Sequence, residues 1–129
     1  MDTALLYPVY AHLFLLVLLY AGLTLVRAPA VWGLGARYQQ TLERLEPRIS
    51  ANLRNQFEWP LLFYAACLWL VARGESMPPL QCWLAWLFVL GRWVHSTVQI
   101  LTTNVRLRGI VFTINFLAVL LMWIAMPVT

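Results

Sequence analysis

Four apolar runs, at about 5–26, 55–71, 80–103 and 110–126, take up most of this 129-residue chain. Each is close to the roughly 20 residues that a helix needs to cross a bilayer's hydrocarbon core. The charge content agrees: 11% of residues are charged, against about 25% in soluble domains. A mean hydropathy of +0.73 points the same way. The expected fold is all-α, a polytopic membrane four-helix bundle forming one domain over 1–129. A bundle this small encloses little interior of its own, so assembly with further copies is expected.

The first run does not read as a signal peptide. Asp2 stands where a basic n-region would lie. His12 inside it is expected to be a hydrogen-bonded packing residue, the commoner role for a lone histidine. Cys67 and Cys82 sit in apolar segments with no metal or redox spacing and are expected to pack.

All nine basic residues are arginine. They lie at helix ends rather than on a solvated face, which argues against nucleic acid as a partner. With four spans, Arg27, Arg37, Arg44, Arg48, Arg54, Arg106 and Arg108 fall on one side, against Arg73 alone on the other. The positive-inside rule then makes the first side cytoplasmic. Both termini are expected outside the cytoplasm, and the long first connection inside it.

That connection, 28–50, is loosened by Gly33 and Gly35. It holds a short helical candidate at 38–46, and Pro47 suits the first turn of the next helix. It reads either as a linker or as a lid. Pro60 should kink the second span, because it lacks a backbone donor and crowds the preceding turn. The segment 104–109 reads as the turn before the last span. Asn115 within that span is expected to make an interhelical hydrogen bond.

Two polar stripes break the apolar pattern. At about 100° per residue, Arg48, Asn52, Asn55 and Glu58 share one helix face. Arg54 and Glu58, four apart, are placed to pair. Ionisable groups near membrane depth cost about 2.5–3.5 kcal/mol each, so they face a protein interior or a wet cavity. A polar helix end at the headgroups is the plainer reading. However, Arg92, His95, Ser96, Gln99, Thr103 and Arg106 recur at steps of three and four on the third span, at the same end of the bundle. The pair of stripes favours a polar site between helices, open to the cytosol.

These residues resemble the signatures of the MAPEG family, the membrane-associated proteins of eicosanoid and glutathione metabolism. The family's second-helix pattern is matched by Arg48, Asn55, Glu58 and Pro60, with Ala51 in place of a second arginine. On the third helix Arg92 fits, His95 and Gln99 replace two tyrosines, and Arg106 or Arg108 fits the closing arginine. Arg27, ending the first helix, matches a further family arginine. The resemblance implies a homotrimer with glutathione bound between subunits at the cytoplasmic end. Arg27, Arg48, Asn52, Asn55, Glu58, Arg92, His95 and Gln99 would hold that cofactor. Arg106 or Arg108 would lower the thiol's pKa, making the thiolate nucleophile of a transferase or peroxidase that acts on a lipophilic substrate from the bilayer.

Other functional classes compete with that reading. A family member could bind another small anion or a lipid at the same cleft without thiol chemistry. A four-helix multidrug transporter would need an intramembrane acid on the first helix, and 5–26 has none. A haem carrier would need His12 and His95 at matching depth, and their places in the spans do not match.

Overall fold

The chain is described here by a computed structural model covering residues 3–33 and 39–126. Among these residues it forms five α-helices: α1 (Leu6–Trp32), α2 (Gln39–Asn55), α3 (Pro60–Ala72), α4 (Pro79–Leu101) and α5 (Val105–Ile124). The apolar runs are recognisable, but their boundaries move. α1 continues through Pro29 and stops at Gly33, whose φ of 66° is the left-handed cap that glycine adopts without Cβ strain. Much of the expected connection 28–50 is therefore helix. Pro47 lies inside α2 rather than in its first turn. Gly35 and Tyr38 fall outside the described residues.

The largest departure is in the second span. A kinked but continuous helix is expected there; instead the helix ends at Asn55 and restarts at Pro60. Proline has no N–H and its ring crowds the carbonyl of the residue four earlier, here Gln56, so Pro60 starts a helix more easily than it continues one. Gln56 and Phe57 close the end of α2 with backbone bonds to Leu53 and Arg54, each 3.1 Å.

Contacts fix the direction of each leg. Arg27, near the end of α1, pairs with Glu46 of α2, while His12, near its start, meets Gln56 and Tyr64. α2 and α3 thus run in tandem down α1 as a single antiparallel leg. α4 runs back along them, since Arg48 reaches the Ile100 carbonyl and Arg92 reaches Gln56. α5 is antiparallel to α4, with Gln81 bonded to the Met122 carbonyl. The result is an up-down-up-down bundle of four legs. α1, α4 and α5 are each long and apolar enough to cross a bilayer, which makes this an integral membrane protein.

The core has two apolar clusters. The larger joins Leu5, Phe63, Cys67, Leu70, Phe88, Val89, Val119 and Met122, with Cys82 packed against it. The smaller, at the arginine-rich end, sets Leu15, Leu19 and Leu23 of α1 against Ile49 and Leu53 of α2. Both sets follow helical spacing on their own helices. Between the clusters lies a polar layer containing His12, Asn52, Gln56, Arg92 and Ser96, all at most 3% exposed. The opposite faces of α1, including Tyr7, Phe14, Val17 and Leu25, are exposed and apolar, as a lipid- or subunit-facing surface must be.

Candidate functional site

At the arginine-rich end α2 and α5 flank a cleft floored by α4. It consists of two adjoining grooves of about 360 and 320 Å³ that share Gln99, Val105 and Arg108. Arg48 and Ala51 line the first, with Asn55 and His95 lining the second. Arg48, Asn55, His95, Gln99 and Arg108 therefore converge from three helices, and among the described residues no acidic one lines either groove.

The geometry of α5 is part of the site. Segment 104–109, expected as a turn, is mostly helix: Asn104 caps α5 by accepting from the Leu107 N–H at 3.1 Å. Arg106 and Arg108 then lie in its first turn, where the helix dipole already concentrates positive charge. A bound anion would relieve both effects. Arg108 lines both grooves, whereas Arg106 is exposed and lines neither.

Behind the floor sits the buried network. Gln56 Oε1 accepts from Arg92 Nε at 3.1 Å and from His12 Nε2 at 2.8 Å. Tyr64 Oη completes the histidine by bonding Nδ1, consistent with the expected packing role. Gln56 Nε2 donates to Asn52 Oδ1 at 3.1 Å and to Ser96 Oγ at 3.3 Å. Ser96 Oγ donates to Asn52 Oδ1 at 2.8 Å, and Asn52 Nδ2 donates to Gln99 Oε1 at 2.8 Å. Arg92 Nη2 and His95 Nδ1 are buried without a partner. Among the described residues Glu46 pairs with Arg27 and Glu75 with Arg73, and no carboxylate pairs with Arg92.

The other expected site residues lie elsewhere in the single subunit. Arg27 donates through Nε and Nη2 to Glu46 Oε1, at 3.0 and 2.8 Å, on an exposed rim. Glu58 is exposed in the joint between α2 and α3 and makes no ion pair with Arg54. The i,i+4 register ends with the helix at Asn55, so the face shared by Arg48, Asn52 and Asn55 does not extend to position 58. Gln56 takes the place against Arg92. In a continuous helix the polar face would run on to the charged Glu58; Gln56, four after Asn52, carries no charge to mark it in the sequence. Asn115 also departs from expectation: it faces Gly91, which has no side chain to answer it, and both its amide atoms are buried without a partner.

Comparison with curated proteins and with solved structures finds no match. Comparison with protein families matches residues 5–126 to the MAPEG family. The match spans nearly the whole bundle, including the three helices that are able to cross a membrane among the described residues, and the lining of the cleft, and this chain belongs to the MAPEG family.

Proposed function

We propose that the protein is a glutathione-dependent transferase or peroxidase acting on a lipophilic substrate, and that the cleft between α2 and α5 holds the glutathione. The observation that carries this reading is the convergence of Arg48, Asn55, His95, Gln99 and Arg108 on one open, acid-free cleft. Glutathione has two carboxylates, and arginine forks suit carboxylates in both charge and shape. Arg108 beside the helix N-terminus is the group to favour the thiolate, because positive charge lowers a thiol's pKa. In the transferase reaction the thiolate sulfur bonds to an electrophilic carbon, and the displaced group leaves with the electron pair. The substrate enters from the lipid between exposed apolar helix faces.

In this reading the site is completed by a neighbouring subunit of a homotrimer. There the exposed Glu58 would receive the ligand's ammonium group, and Arg27 would exchange Glu46 for a ligand carboxylate. The cleft opens to the cytoplasm, by the count of arginines at its end. A second reading, binding of another small anion or lipid without thiol chemistry, draws on a specific observation. Ala51, His95 and Gln99, the positions that depart from the family pattern, all line the cleft.

Calorimetry with glutathione on the purified protein, paired with conjugation of a soluble aryl halide, separates these readings. Binding that Arg48→Ala and Arg108→Ala each weaken at least tenfold, with conjugation, supports the enzyme. Binding without conjugation supports the second reading, and absence of glutathione binding rejects the first.

A further inference from the structure

The amide network behind the cleft has a direction, and Arg92 sets it. A guanidinium carries donors only, so the atom of Gln56 that faces Arg92 Nε must be its carbonyl oxygen. That choice turns Gln56 Nε2 toward Asn52 Oδ1, 3.1 Å away. Asn52 is then left with Nδ2 as the atom it offers Gln99, and the acceptor it meets there is Oε1 at 2.8 Å. Reversing one member alone would bring two carbonyl oxygens or two amino groups face to face in a layer at most 1% exposed at Asn52, Gln56 and Arg92. The same constraint runs the other way. Gln56 Oε1 requires a proton on His12 Nε2, so Tyr64 donates to His12 Nδ1.

We infer that Arg92, acting through Gln56 and Asn52, pins the Gln99 carboxamide with its oxygen inward, so that the cleft meets its Nε2 as a donor between Arg48 and Arg108. This rests on the glutathione reading and assigns the part of the ligand involved: a carboxylate lies over Gln99. A ligand group that has to donate finds no acceptor at this position. Asn52, Gln56 and Arg92 are positioning residues. The family resemblance implies direct ligand contacts for Asn52 and Arg92, but their burial puts them one hydrogen bond or more behind the ligand.

Two substitutions reverse the ladder. Gln56→Glu and Asn52→Asp each put an acceptor where a donor stood, which turns Gln99 Nε2 inward and its oxygen toward the cleft. The readout is exchange of the Gln99 side-chain amide with water, followed by NMR in detergent and assigned by its loss in Gln99→Met. In the wild type this amide should exchange at least tenfold faster than those of Asn52 and Gln56. In either reversing variant it should slow at least tenfold, and glutathione affinity should fall at least tenfold. Gln99 protection equal to that of Asn52 in the wild type, or unchanged exchange in a folded reversing variant, overturns the ladder. The expected exchange pattern in a wild type that binds no glutathione would uphold the ladder and overturn the carboxylate assignment.

Discussion

Gln56 and Gln81 are both buried glutamines, and replacing each by methionine should have very different consequences. Gln56 is 1% exposed and makes four side-chain hydrogen bonds, accepting from Arg92 and His12 and donating to Asn52 and Ser96. Methionine fills a similar volume, so the change chiefly deletes polar partners. It strands one charged donor and one neutral donor in the interior. A stranded buried group costs about 1–3 kcal/mol, more when charged, whereas single interhelical bonds in membranes average about 0.6 kcal/mol. The lower scale reflects bonds whose members find other partners. Arg92 cannot do so easily, since it already has one unpartnered nitrogen and no carboxylate. Gln56→Met should therefore cost about 2–4 kcal/mol. Gln81 makes one bond, to the Met122 carbonyl at 3.1 Å, and its Oε1 is already buried without a partner. Losing the bond and losing the stranded oxygen roughly cancel, so Gln81→Met should fall within about 1 kcal/mol of wild type. Reversible unfolding in mixed micelles with rising dodecyl sulfate reads both values. Equal effects would refute the reasoning, because the polar layer would then be no more than tolerated.

Three further outcomes follow from particular contacts. A Cβ at position 91 would overlap the Asn115 amide, so Gly91→Ala should lower stability by about 1–3 kcal/mol, and Asn115→Ala in the same chain should restore most of it in the same micelle assay. Glu58→Gln should leave subunit stability within a few tenths of a kcal/mol, as expected for an exposed group, yet weaken glutathione binding at least tenfold if a neighbouring subunit closes the site. Calorimetry showing unaltered binding would remove Glu58 from it. Native mass spectrometry from detergent should give a trimer; monomer alone would confine the site to the single-subunit cleft.

Much of this architecture could be read from residue order because bilayer physics leaves few options. Runs of spanning length must be helical, and a polar stripe within one must face something wet or polar. That reasoning located α1, α4 and α5 and placed Arg48, Asn55, His95, Gln99 and Arg108 at one end of the bundle. It was weakest where the chain leaves helical register. A stripe extrapolated at about 100° per residue assumes an unbroken helix. Pro60 ends that assumption four residues early, and the interior position passes from Glu58 to Gln56. The same limit explains Arg106 and Arg108. As a turn, 104–109 leaves the choice between them open, but the Asn104 cap starts α5 at Val105 and turns Arg108 toward the cleft while Arg106 stays exposed.

The interior that replaced the expected ionic one has a consequence for how the site could tolerate its charge. A buried arginine is expensive without a carboxylate, and the usual remedy of an adjacent acid would cancel the positive potential that an anion-binding cleft needs. Here Arg92 is held by a neutral carboxamide, Gln56, and no carboxylate of the described residues pairs with it, while His95 and Gln99 of the same helix line the cleft. Substituting Glu58's charge at position 56 would stabilise Arg92 and weaken the cleft together. Stability and anion affinity are thus opposed at this position. If the cleft holds the proposed anion, a glutamine there is the compromise that keeps the hydrogen bonds of an acid while leaving the field of the arginine to that ligand.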